Sequence, residues 1–302
     1  MRARHSKITV YAALTANLAI AISKYITAGF TGSSSMLSEG IHSTVDTGNQ
    51  LLLLLGISKS EKPADKEHPF GYGKEIYFWS LIVAILIFAI GGGISAYEGV
   101  IHLIGKPKVE RSYWNYIILG TSFIFESISF YIAHKNFRKT TPDKDLYTAI
   151  VKSKDPASFL TLLEDAAALL GILFAATGIT LTALTNNPLY DGIASICIGL
   201  LLALVALFLV RETKGLLIGE SANKEVIIEV ETILKEDSRI SFFDRPLTMQ
   251  LGPDQIFIAL NLKLKPEKNM QVKELFLSIE EKIYAVNSKI KLVFFNISET
   301  KT

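Results

Sequence analysis

Cysteine is nearly absent. The one residue, Cys197, sits inside an apolar run, which excludes a disulfide within the chain and a cysteine-built zinc cluster. Histidine is scarce as well, five in 302 residues, and the stretch 213–302 has neither histidine nor cysteine. No phosphate-binding loop is present to seat ATP: Gly91-Gly92-Gly93 is embedded in an apolar run, where it lets a neighbouring helix approach or bends its own. No nucleophile–base pair is evident, so an enzyme is not expected. Neither sign of charge dominates. Thirty-one basic against 29 acidic residues leave +2, and the basic residues sit in short loops rather than one stripe, which argues against a nucleic-acid partner. The first apolar run lacks a small-residue cleavage site and is followed by others, so it reads as a retained helix.

What the chain has in abundance is apolar length. Spanning a bilayer takes about 20 apolar residues in a helix, and six stretches qualify: Ile8–Gly29, Ser33–Ser58, Glu75–Ile104, Ser112–Asn136, Ala157–Leu184 and Leu189–Val210. The first pair and the last pair have links of only a few residues and read as tight antiparallel hairpins. Asp155-Pro156 reads as a cap followed by proline at the first helical position, so the fifth helix starts there. Leu146 to Val151 suggests a short surface helix before it.

Basic residues of the short loops set orientation. One side carries Arg2, Arg4 and Lys7, then Lys59, Lys62, Lys66 and Lys74, then Lys135, Arg138, Lys139, Lys144, Lys152 and Lys154. The other carries Lys106, Lys108 and Arg111. Both termini are therefore expected on the cytoplasmic side of a bacterial inner membrane or an organellar membrane.

From about residue 213 the pattern becomes that of a soluble domain. Val226, Ile227, Val230, Ile233 and Leu234 form a helical stripe. Met249 and Leu251, then Ile256, Ile258, Leu260, Leu262 and Leu264, alternate as strands do, with Gly252-Pro253-Asp254 as the turn. Val272, Leu275, Phe276, Ile279 and Ile283 give a second helix, and residues 290–297 a last strand. Two helices on one face of a three-stranded sheet make a small α+β domain. The expected division is 1–212, an all-α six-helix transmembrane bundle, and 213–302, a soluble domain.

Ionisable residues inside the spans carry the chemistry, because a charge at mid-bilayer costs roughly 2.5–3.5 kcal/mol on insertion scales. Glu39, His42, Asp46 and Asn49 recur at spacings of three, four and three, which places them on one helical face. Glu164 and Asp165 stand alone in the fifth apolar run. Imidazole and carboxylate suit zinc, which takes about four ligands tetrahedrally, and metal binding there displaces protons from the same lone pairs. Such a site can exchange metal for protons across a membrane. The bland alternative for any one residue is an interhelical hydrogen bond; the concurrence of His42, Asp46 and Asp165 with Glu39 and Asn49 favours metal. Lys24 reads as snorkelling or as offsetting a buried carboxylate, and Glu126 as a proton relay or a partner for Lys24. Asn17 reads first as a helix–helix hydrogen bond and second as a site lining. Glu98 and His102 read as solvated, His134 as interfacial, His5 as solvated and Asp191 as a capping residue opening the sixth helix.

Ser33-Ser34-Ser35-Met36-Leu37-Ser38-Glu39-Gly40-Ile41-His42-Ser43-Thr44-Val45-Asp46 resembles the second-helix signature of the cation diffusion facilitators, and His68-Pro69-Phe70-Gly71-Tyr72-Gly73-Lys74 resembles their inner loop. The resemblance covers essentially the whole chain. The runs His42–Gln50, Gly56–Ser60, Leu163-Glu164-Asp165 and Leu217-Ile218-Gly219-Glu220 look closest to the branch typified by zinc transporter nine. It implies six spans with a ferredoxin-like cytoplasmic domain, a homodimer, and proton-coupled efflux of a divalent metal by alternating access. The implied cargo is Zn2+, with Mn2+, Fe2+ and Co2+ as alternatives and no prosthetic group, and the implied ligands are His42, Asp46 and Asp165. Most members carry His or Asp where this chain has Thr161, so the fourth contact falls to Glu164, Thr161, Asn49 or water. His68 resembles an inner-loop metal position, with a loop-ordering hydrogen bond as the alternative. The tail, without His or Cys, is expected mainly to dimerise. Thr161 keeps open a second class of function, a non-transporting membrane metal sensor or scaffold subunit.

Overall fold

The computed structural model describes residues 2–105, 113–140, 145–266 and 271–297, without the side chains of 2–16 and 140. Lys106, Lys108 and Arg111 on one predicted side, Pro142 and Lys144 on the other, and the side chains of Arg2, Arg4, His5 and Lys7 lie outside the described residues. The chain is mostly helical with a small C-terminal sheet, and it divides into two compact units, Met1–Ile57 with Phe78–Thr213, and Ser58–Tyr77 with Lys214–Thr302.

The first unit is built from α1 (Arg2–Thr31), α2 (Ser34–Ser60), α3 (Glu75–Leu86), a π-helical turn at Ile87–Gly92, α4 (Gly93–Gly105), α5 (Tyr113–Thr140), the short α6 (Leu146–Lys152), α7 (Pro156–Thr185) and α8 (Leu189–Ile218). Pro156 opens α7 as predicted, with Asp155 at its cap. Asp145 caps α6 by accepting the Thr148 backbone N–H at 2.9 Å, which holds the carboxyl below its usual range. Among the described residues four helices are long and apolar enough to cross a membrane: Glu75–Gly105, Tyr113–Lys139, Pro156–Thr185 and Leu189–Ile218. The first two predicted spans are not in that set. α1 and α2 have the length, 30 and 27 residues, but α2 is diluted by Glu39, His42, Asp46 and many small polar residues.

Glycine decides how α4 and α8 meet. A Cβ on Gly92 would lie 3.1 Å from the Gly199 carbonyl, and one on Gly99 would lie 2.7 Å from the Gly192 carbonyl. Small residues let backbones approach where no hydrophobic force favours one apolar surface over lipid. The glycine triplet thus does both things expected of it: the π turn falls on it, and α8 packs against it.

Asp191, in the first turn of α8, corrects the sequence reading. Its carboxylate is fully buried and caps α2 rather than its own helix. It accepts from Ser33 Oγ at 2.7 Å, Ser34 N at 2.6 Å, Ser34 Oγ at 3.1 Å, Ser35 N at 3.4 Å and, closest of all, Ser35 Oγ. The α2 N-terminus, with its orphan N–H groups, is a ready receptor for a carboxylate. His102, expected in solvent, is 6% exposed, with Nε2 at 3.6 Å from Asp191 Oδ2.

In the second unit, α9 (Lys224–Glu236) and α10 (Val272–Val286) cover one face of a sheet of β1 (Ile240–Phe243), β2 (Leu247–Gly252), β3 (Gln255–Leu264) and β4 (Ile290–Ile297). Ile256, Ile258, Leu260 and Leu262 of β3 point into the core against Val230, Leu234, Leu275, Ile279 and Ile283. β3 pairs antiparallel with β2 through 255–259 and with β1 through 262–264, and parallel with β4 along 256–262. β1 and β2 therefore share one edge of β3. The three-stranded expectation missed β1 because Asp244-Arg245-Pro246 interrupts the pattern, and Pro246 has no N–H for the ladder.

The loop motif at 68–74 belongs to this unit. A Cβ on Gly73 would lie 2.5 Å from the Leu251 carbonyl, and Gly252 faces Gly73 in turn. Gly71 has φ +80°, a left-handed conformation that glycine takes without strain. Lys74 Nζ reaches the Leu217 carbonyl at 3.4 Å, and the Phe70 and Phe257 rings meet edge to face at 6.0 Å.

Two outcomes follow. Asp191→Ala strands the serine donors and removes roughly 3 kcal/mol; at about 2–4 °C per kcal/mol the first unit's melting midpoint should fall by about 6–12 °C, and an unchanged midpoint would exclude the capping role. Gly73→Val cannot fit against Leu251, so limited proteolysis should cut the 61–74 loop at least several-fold faster than in wild type; equal rates would mean the loop does not dock.

Candidate metal centre

The candidate ligands come from α2 and α7, and each helix positions them by its own periodicity. On α2, His42 and Asp46 lie one turn apart, with Nε2 to Oδ2 at 3.4 Å and side chains 3% and 14% exposed. His42 Nε2 and Asp46 Oδ1 are buried and make no hydrogen bond among the described residues. On α7, the adjacent acids diverge by about 100°, and a different neighbour holds each. Asn49 Nδ2 of α2 donates to Glu164 Oε1 at 2.6 Å, and Ser129 Oγ of α5 donates to Asp165 Oδ2 at 2.8 Å.

Asp46, Glu164 and Asp165 line one pocket with Asn17, Ile20, Ser43, Gln50 and Glu126. Four carboxylates from three helices line it; His42 does not, though it lies against Asp46. Among the described residues no three His, Cys, Asp or Glu side chains draw close enough to hold a metal ion. The pocket gathers candidate ligands without closing a coordination shell. Thr161, at the departure from the family pattern, donates its hydroxyl to the Ala157 carbonyl at 3.0 Å.

Other predicted residues fall as follows. Lys24 Nζ lies 2.9 Å from Glu39 Oε2, both fully buried, and donates to Ser43 Oγ at 2.8 Å. Glu39 is thus the partner of Lys24, and Glu126 faces the pocket instead. Asn17, weighed first as a helix–helix hydrogen bond, also lines the pocket. His68 is half exposed in the second unit. Its backbone N–H donates to Asp65 Oδ1 at 2.7 Å, and its ring lies 4.2 Å from that of Tyr72. Tyr72 donates its hydroxyl to Asp65 Oδ2 at 2.7 Å, which pulls the Asp65 carboxyl below its usual range and pushes the phenol up.

Three polar residues escaped sequence reasoning, Ser43 of the pocket lining among them. Ser129 holds Asp165, and its signal was its place three residues after Glu126 on one helical face. Gln50 lines the pocket one turn beyond Asp46, inside a quoted motif but without a role.

Comparison with known proteins gives the family. A cation efflux transmembrane domain matches residues 10–218. The human "Proton-coupled zinc antiporter SLC30A9, mitochondrial" is 39% identical over 219 residues, 72% of this chain and 39% of that protein. "Metal tolerance protein C4" of Arabidopsis thaliana is 33% identical over 244 residues, 80% of this chain and 53% of that protein. "Manganese efflux system protein MneP" of Bacillus subtilis (strain 168) is 24% identical over 274 residues, 90% and 88% of the two chains. The chain thus spans about two fifths to half of the length of the first two relatives. With long apolar helices, buried acids on two of them and a domain match across most of its length, the chain belongs to the cation diffusion facilitator family, close to the branch typified by zinc transporter nine.

Proposed function

We propose that this chain is a proton-coupled antiporter that exports a divalent metal, zinc foremost, by alternating access, with the metal bound between α2 and α7. One observation carries the reading: Asp46 of α2 and Asp165 of α7 line the same pocket, with His42 against Asp46. Each of these groups offers a lone pair to a proton or to a metal, not to both at once, so loading metal sheds protons. Glu164, Asn49, Thr161 and water compete for the fourth contact. Glu164 is the strongest of the four, because its carboxylate already lines the pocket. Closing α2 onto α7 would draw the set into a tetrahedral shell of the kind zinc takes.

The remaining parts of the reading are a six-span bundle including α1 and α2, a ferredoxin-like domain over 213–302 that mainly dimerises, and both termini cytoplasmic in a bacterial inner or organellar membrane. The zinc antiporter named above supports zinc. A second reading, export of manganese, iron or cobalt, has its own support: the pocket is lined by oxygen-bearing side chains, which suit manganese better than an imidazole-rich set would, and one relative is named for manganese efflux.

In proteoliposomes with an imposed pH gradient, His42→Ala, Asp46→Asn and Asp165→Asn should each lower zinc flux at least about tenfold. Full flux in either aspartate variant would move the site elsewhere. Ser129→Ala should weaken metal affinity about tenfold while leaving the number of ions bound unchanged; unchanged affinity would mean that Ser129 does not position Asp165.

A further inference from the structure

Lys24 and Glu39 form an ion pair inside the helical unit, 1% and 0% exposed. A buried pair of this kind is weak evidence for stability alone, since desolvation offsets its attraction. Its position says more. Glu39 is three residues from His42 on the same face of α2, and its carboxylate presses against Gly171 of α7, where any Cβ would collide with Oε1. It therefore stands at the meeting of the two helices that carry the candidate ligands. Its Oε1 makes no hydrogen bond among the described residues. The Lys24 ammonium also donates to Ser43 Oγ at 2.8 Å, and Ser43 lines the acidic pocket. One hydroxyl thus separates a fixed positive charge from the cargo's seat.

We propose that Lys24 is the built-in counter-cation of the transport pocket: by occupying Glu39 it withholds that carboxylate from the cargo and sets how tightly the pocket holds a divalent ion. The inference rests on the transport reading above. Removing the ammonium frees a carboxylate beside His42 and removes a like charge near the cargo; both effects tighten binding, and tight binding slows release. Removing the Glu39 charge instead leaves the ammonium unpaired and repels the cargo.

The test is zinc binding by the purified full chain, measured calorimetrically, with flux in proteoliposomes beside it. Lys24→Met should tighten apparent affinity about tenfold and slow turnover, and Glu39→Gln should weaken affinity about tenfold. Lys24→Met combined with Glu39→Gln removes both charges at similar volume, so it folds even where a single variant does not, and its affinity should return to within about threefold of wild type. Lys24→Arg, keeping the charge, should stay near wild type. If the two single variants weaken binding alike, or if the double variant binds no closer to wild type than the singles, Lys24 is only a structural tie and the inference falls while the transport reading stands. Absence of zinc binding by wild type overturns both.

Discussion

An ionisable group held away from water must be matched by donors or a counter-charge, and the helical unit is organised around that constraint. Asp191 is matched most fully, by the serines that open α2 and by the nearby His102. Glu39 is matched by Lys24. Among the described residues Glu164 and Asp165 have one side-chain donor each, from Asn49 and Ser129. Among the described residues His42 Nε2 and Asp46 Oδ1 make no hydrogen bond, and Nε2 has only Asp46 Oδ2 at 3.4 Å. The polar groups thus form a gradient of satisfaction, and the least satisfied lie beside the pocket. A site that must bind and release an ion needs that incompleteness, because a fully hydrogen-bonded carboxylate has no lone pair left to offer.

The same constraint explains why glycine and serine mark the helix contacts. Gly92 of the π turn against Gly199, and Gly99 of α4 against Gly192, bring these backbones close to α8. Along the neighbouring contact, Ser38 meets Ser195 at 2.6 Å and Ser195 donates to the Ser95 carbonyl at 2.8 Å. α2 is therefore anchored to α8 at the Asp191 cap and again at Ser38. Gly171 permits the opposite kind of contact, a carboxylate against a bare backbone, where α2 meets α7. Attachment to α8 by buried hydrogen bonds thus contrasts with a carboxylate-on-glycine contact where α2 meets α7.

Much of this was legible in the sequence, because the relevant signals are local. Helix periodicity placed His42 and Asp46 together, Asp155-Pro156 marked the start of α7, and alternation marked β2, β3 and β4. What was not legible depends on partners far apart in the chain. Asp191 looked like the cap of its own helix because nothing local shows that Ser33–Ser35 would meet it across more than 150 residues. His102 looked solvated for the same reason. β1 was hidden by the proline-containing break, and the role of Gly73 is invisible until the backbone of residues 251–252 lies against it. Local pattern finds the face of an element, and only the fold says what that face meets.

The departure at Thr161 gains a physical meaning from these contacts. Its hydroxyl donates to its own helix, which satisfies the O–H and leaves the oxygen lone pairs to accept. Glu164, three residues further along α7, and Glu126 from α5 both line the pocket. On the proposed transport reading these acids would share a cargo's charge from several directions. On that reading such a pocket would discriminate less by imidazole geometry and more by total negative charge, and Lys24, within one hydroxyl of it, would limit that charge.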